Sequence, residues 1–239
     1  MISNRPLSRW RSLARLAIWL LATALVAPPS LGAPCENCDW GALGRYRAEN
    51  AKLGADDSRV VFLGDSITEA WAHDALFADP HIVDRGISGQ TAPQMLVRFR
   101  ADVIALKPKV VHIMAGTNDV AENQGPESDE EIEGALQSMV ELARANGIAV
   151  VLATIPPAAD FRWHPGLQPT PRIRELNTWI EAYARGAGIG FVDYWPVLAT
   201  EDGAMKPEYS GDGVHPNASA YRAMEPVARA AIERELRQH

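Results

Sequence analysis

The sequence predicts an α/β fold: a three-layer α/β/α sandwich around a doubly wound parallel sheet of five strands. Two observations carry that expectation. Short runs of apolar, β-forming residues alternate regularly with longer segments of helical periodicity, with no internal repeat and no linker between them. The runs are also apolar on consecutive positions, the pattern of strands buried on both faces and joined by right-handed βαβ crossovers.

Taken in order, residues 39–52 mix polar residues with Trp40, Leu43 and Tyr46, which suggests a helix on the outside of the domain. The first strand is expected at 59–63, where Val60-Val61-Phe62-Leu63 runs into Gly64-Asp65-Ser66 and a helix over 68–77. A short second strand at 81–85 ends in Gly86-Ile87-Ser88-Gly89. An amphipathic helix over 91–106 follows, with Met95, Leu96, Phe99, Val103 and Leu106 on one side and Pro108 as its stop. The third strand is 110–114, ending at Gly116-Thr117-Asn118-Asp119. Helix 128–146 opens with Asp129, Glu130 and Glu131, read as a solvated helix start that suits the dipole rather than as a metal site. Strand four is 148–155, helix 172–185 follows it, strand five is 191–194, and a last helix spans 216–236 with Pro216 in its first turn. The one long irregular connection, 156–171, leaves the fourth strand's carboxyl end and is expected to wall a binding cleft.

The first 33 residues are read apart from the domain. Arg5, Arg9, Arg11 and Arg15 precede an uncharged run from Leu16 to Ala27, too short to cross about 30 Å of hydrocarbon as a helix. This is a signal-peptide pattern and predicts export to the periplasm or beyond, with an uncleaved anchor as the alternative. The expected organisation is therefore a signal peptide at 1–33, an N-terminal extension and outer helix at 34–58, and the main domain at 59–239. Pro34 stands before Cys35 where a lipoprotein needs a small residue. Without the four arginines of the leader, the 23 basic residues fall to 19 against 30 acidic ones, a net charge of −11 that argues against nucleic acid as a partner. Cys35 and Cys38 are the only cysteines. With no second pair for zinc, they read as a structural tether or as incidental.

Ser66 falls at the carboxyl end of a strand, where open α/β sheets bind ligands and where amides opening the next helix point at them. Read locally, Asp65 or Ser66 is a helix cap. Read as a nucleophile, Ser66 needs a base, and of the six histidines His215 lies at the same sheet edge, in Asp212-Gly213-Val214-His215. Asp212, on a glycine-bent turn, can hold the imidazole tautomer that leaves Nε2 free for the serine proton. Gly89 lets a backbone N–H approach a substrate closely, and Asn118 offers a neutral amide donor; each is also an ordinary turn residue. Trp163 and His164, in the long loop, are candidates for substrate contact.

Gly64-Asp65-Ser66, Gly89, Gly116-Thr117-Asn118-Asp119 and Asp212-x-x-His215 resemble, in order and spacing, the four sequence blocks of the SGNH hydrolases, the GDSL-type lipases and esterases. The likeness covers the chain from about residue 59 onward, and residues 85–163 resemble the lysophospholipase-like and platelet-activating-factor acetylhydrolase-like subgroup. Ile67 replaces the leucine of the name motif. The resemblance implies a flavodoxin-like sheet, Ser66 as nucleophile with Asp212 and His215, and an oxyanion hole of the Ser66 amide, Gly89 and Asn118. The expected function is an exported serine esterase acting on short acyl groups of carbohydrate or small alcohols, with no metal or cofactor and no stable membrane insertion once the leader is removed. A lysophospholipase or thioesterase for longer chains and a non-catalytic cell-envelope binding domain are the alternatives. A nucleotide binder is disfavoured because Asp65 puts a carboxylate where a phosphate would sit.

Overall fold

The computed structural model describes Met1 and residues 39–238. The expected leader beyond Met1 and both cysteines lie outside the described residues. Five parallel strands, β1 (Val60–Gly64), β2 (Ile82–Gly86), β3 (Val110–Met114), β4 (Ala149–Ala153) and β5 (Gly190–Val192), form one sheet in the order β2-β1-β3-β4-β5. That order is the flavodoxin-like one, and its topological switch point lies between β1 and β3. The strands are in register through Val60, Ile82 and Val110 at one end and Gly64, Gly86 and Met114 at the other.

Both faces of the sheet are apolar because each strand points successive side chains to opposite layers. Val61, Leu63, Val111, Ile113, Val150 and Leu152 pack under α3 (Ala92–Asp102), α5 (Asp129–Ala145) and α6 (Pro169–Ala187). Val60, Phe62, Val110, Val151 and Val192 pack under α2 (Ser66–Trp71) and α8 (Ala218–Gln238). The short helices α1 (Arg47–Asn50), α4 (Thr117–Val120) and α7 (Trp195–Leu198) lie in the connections.

Helix ends differ from the sequence reading for identifiable reasons. The Asp65 side chain accepts the Ile67 amide at 2.9 Å, so Asp65 is the cap and α2 begins at Ser66 rather than at 68; it stops at Trp71, and a separate 3₁₀ turn capped by Asp74 covers Ala75–Ala78. The helix expected to reach 106 breaks at Val103 into a 3₁₀ turn, Ile104–Leu106, closed by Lys107 in the left-handed region. Prolines are tolerated in a first helical turn, and α6 accordingly starts at Pro169, three residues before the expected start. Pro216 does not open the last helix: it forms an isolated bridge with Ser210, and Asn217 Oδ1 instead accepts the Ser219 and Ala220 amides at 2.8 and 3.1 Å. Residues 39–52 hold one helical turn and otherwise turns, yet they are fastened to the sheet. The Tyr46 hydroxyl donates to the Gly86 carbonyl, and Asn50 bonds both Arg85 and Asp102.

Candidate active site

The carboxyl ends of β1, β2 and β3 and the turn before α8 converge on Ser66. Ser66 occupies the first position of α2, where a backbone N–H has no partner within the helix and the dipole favours negative charge. Two contacts anchor its neighbourhood. The Tyr221 hydroxyl, from α8, donates to the Ile67 carbonyl at 2.8 Å, and the buried Arg98 guanidinium donates to the Gly64 carbonyl at 3.0 Å.

Ser66 Oγ lies 3.1 Å from His215 Nε2, and His215 Nδ1 lies 2.7 Å from Asp212 Oδ2. The other carboxylate oxygen of Asp212 accepts the Val214 and His215 amides at 2.9 and 2.8 Å and the Ser210 hydroxyl at 2.9 Å. Burial works against the Asp212 charge, but hydrogen bonds from the His215 amide and ring, the Val214 amide and Ser210 outweigh it and hold the carboxyl well below the usual range. An acceptor that stays ionised fixes Nδ1 as the protonated nitrogen and turns Nε2 toward the serine.

Gly89 sits at the third position of a turn closed by the Gln90 amide on the Ile87 carbonyl, with φ of +78°, the left-handed backbone that this position requires. The space where a side chain would stand is open. Asn118, at the start of α4, is buried; its Nδ2 donates to Asp65 Oδ2 at 3.2 Å and to the Gln90 carbonyl at 3.0 Å, so it joins the strand ends on either side of the switch point. Burial pushes the Asp65 carboxyl up to about 6, against the Ile67 amide bond and the His215 and Arg98 charges.

In the long loop, the Trp163 ring lies 6.0 Å from the His215 ring at 40°, and 46 % of its surface is exposed. Arg162 donates to the Gly211 carbonyl at 3.5 Å, so the loop borders the turn carrying Asp212 and His215. His164 Nδ1 lies 2.9 Å from the Ala121 carbonyl, a contact that fastens the loop to the end of α4. Sequence reasoning missed Gln90, Arg98 and Asn123. Gln90 carries a carbonyl for Asn118 and a side-chain oxygen for Arg98 Nε at 2.5 Å. Asn123 donates to Asn118 Oδ1 at 2.5 Å. The Gln90 and Asn123 contacts depend on turn geometry, for which the residue types carry no signal; Arg98, a cation on the apolar side of an amphipathic helix, was the detectable one. Among the described residues no cluster of three or more His, Cys, Asp or Glu is placed to hold a metal ion.

Arranged in this way, the groups can deprotonate a hydroxyl and offer amide donors to a developing negative charge. The model of the GDSL-like lipase/acylhydrolase family matches residues 62–223, a stretch that starts within β1 and includes β2 to β5, Ser66 and His215. The chain belongs to that family. A GDSL-like lipase from Bacteroides thetaiotaomicron is 44 % identical to this hydrolase and superposes with a TM-score of 0.79 over 82 % of this chain and 98 % of that one. A protein from Bacteroides fragilis is 45 % identical with a TM-score of 0.80 over the same shares, 82 % and 98 %. An acetylxylan esterase from Geobacillus stearothermophilus, 21 % identical, shares the fold with a TM-score of 0.60 over 76 % of this chain and 96 % of that one. Among curated proteins, an uncharacterized lipoprotein of Bacillus subtilis is 38 % identical over 82 residues, 33 % of this hydrolase and 34 % of the relative, so the match spans about a third of the relative's length.

Proposed function

We propose that this hydrolase is an exported serine esterase that removes short acyl groups, acetyl foremost, from carbohydrate or small alcohols through an acyl-enzyme. The observation that carries the reading is the continuous hydrogen-bonded chain from Ser66 Oγ through the His215 ring to Asp212. In this mechanism Ser66 Oγ attacks the ester carbonyl carbon while its proton passes to His215 Nε2. The carbonyl oxygen becomes an oxyanion facing the amides of Ser66 and Gly89 and the side chain of Asn118. Collapse breaks the bond to the alcohol oxygen, which takes the proton from Nε2. Water then attacks the acyl-enzyme with His215 again as base, releasing the carboxylic acid and restoring the Ser66 hydroxyl.

The preference for short acyl groups and a sugar-like alcohol is supported by the exposed Trp163 ring beside His215, a flat apolar face of the kind that stacks on sugars. The acetylxylan esterase of the same fold acts on such a substrate by its name. Export is supported by the arginine-flanked apolar N-terminus and by the lipoprotein relative. A series of esters of one alcohol, running from acetyl to decanoyl, tests the assignment. Specificity, kcat/KM, should be highest for acetyl and fall with chain length. A rise toward decanoyl overturns the short-acyl reading, and no hydrolysis of any member overturns the esterase reading.

A further inference from the structure

Asn118 is held at three points. Both hydrogens of its Nδ2 have partners, Asp65 Oδ2 and the Gln90 carbonyl, so an oxyanion above Ser66 must compete for a hydrogen already engaged. The orientation of the amide is then decided at its other end, where Asn123 Nδ2 donates to Oδ1 at 2.5 Å. Asn123 is delivered there by the backbone. The Glu122 amide bonds the Asp119 carbonyl at 3.0 Å and the Asn123 amide bonds the Asn118 carbonyl at 3.0 Å, with Glu122 left-handed at φ of +55°. This is a Schellman ending that folds the chain after α4 back onto its own first turn. The remaining end of Asn123 is also engaged: its Oδ1 accepts the indole N–H of Trp163 at 2.8 Å.

We propose that Asn123 is a positioning residue that links the Trp163 wall of the cleft to the Asn118 amide, so that the group seated against Trp163 and the donor offered to the oxyanion are set by one hydrogen-bonded relay. The inference rests on the esterase reading above. Its physical basis is that a bond into an amide oxygen draws electron density from the nitrogen and strengthens that nitrogen as a donor, and successive amides reinforce one another. Trp163 thereby faces both halves of the chemistry: its ring borders His215, and its N–H starts the relay that ends at Asn118. The acyl or alcohol portion that packs on the ring, a sugar or aromatic alcohol by the chemistry of that surface, fixes the indole and with it the amide.

The test is a double-mutant cycle on the purified protein with an acetyl ester of a small chromogenic alcohol. Asn123→Ala should lower kcat by about 10-fold or more with KM changed less than about twofold, since the lost interaction serves the transition state. Trp163→Phe keeps an aromatic ring but removes the pyrrole half of the indole with its N–H; the lost stacking area reads out in KM, and the lost N–H in kcat, which should fall a few-fold. In the Trp163→Phe/Asn123→Ala double variant the loss should equal that of Asn123→Ala alone, because the indole N–H acts only through Asn123. The near-isosteric Asn123→Asp, which replaces the donor facing Asn118 Oδ1 by an acceptor, should be at least as damaging as Ala. Multiplicative losses in the double variant, or recovery of activity by Asn123→Asp, overturn the relay. Ser66→Ala is the control for the underlying reading: if it keeps wild-type turnover the esterase site itself is wrong, whereas its inactivity together with multiplicative losses in the double variant condemns the relay alone.

Discussion

His112 stands in the middle of β3 with no exposed surface, its Nε2 3.0 Å from the Tyr194 hydroxyl and its ring stacked on Phe62 at 4.4 Å. Burial disfavours its charged form and pushes its pKa down from 6.5 to about 3. The unfolded chain therefore takes up this proton first, and stability falls as pH drops from 6.5 toward 3, by up to about 1.4 kcal/mol per pH unit. Asp65 and Asp84 act with the opposite sign: burial raises both to about 6, so the native state is protonated first and stability rises as pH falls through that value toward 3.8. A His112→Phe variant isolates the histidine. Measured by urea unfolding, the change in its stability from pH 7 to pH 5 should be about 2 kcal/mol more favourable than that of the wild type. Identical pH dependence in the two proteins would contradict the buried neutral state. At this scale the sequence reading was uneven. Ser66, Asp212 and His215 were legible because each is a chemically distinctive residue type at a strand end or in a glycine-bent turn. Gln90 and Asn123 were not, because their roles arise from where a turn directs a carbonyl or an amide.

At the scale of elements, the approach of β2 to α2 is set by Gly86, the strand residue paired with Gly64. A Cβ there would stand 2.1 Å from the Glu69 amide nitrogen and 2.8 Å from the Asp65 carbonyl oxygen, both backbone atoms of the turn and helix that present Ser66. Neither can give way without moving the helix. Gly86→Ala should cost about 2–3 kcal/mol of stability and lower esterase activity with it. A urea midpoint and turnover both unchanged from wild type would show that α2 is not held at this distance. Element existence was readable from periodicity, and β3 was read to the residue at Val110–Met114. Boundaries failed where side chains overrule pattern, as at the Asp65 and Asn217 caps, or where a backbone break interrupts an apolar stripe, as at Val103. The one-turn helices α4 and α7 were invisible because four residues carry no period.

For the molecule as a whole, alternation of strand and helix predicts a parallel sheet with helices on both faces, but it leaves the strand order open. The observed order β2-β1-β3-β4-β5 agrees with what the resemblance to SGNH hydrolases implied. It also explains why residues as distant in sequence as Ser66 and Asn118 become neighbours: β1 and β3 are adjacent at the switch point, and the helices leaving them diverge to opposite faces, opening the crevice between. The turn carrying Asp212 and His215 is brought to that crevice because it leads into α8, which packs beside α2 on the same face of the sheet, with the Tyr221 ring stacked on Trp71 and its hydroxyl bonded to the Ile67 carbonyl. The central claim is that Ser66 is the nucleophile of this arrangement, and covalent labelling tests it most directly. Incubated with a fluorophosphonate, which phosphonylates an activated serine, the native protein should gain a single adduct located by peptide mapping on Ser66, with esterase activity lost in proportion, and Ser66→Ala should stay unlabelled. Labelling that persists in Ser66→Ala, or an active protein that takes no label, would contradict it.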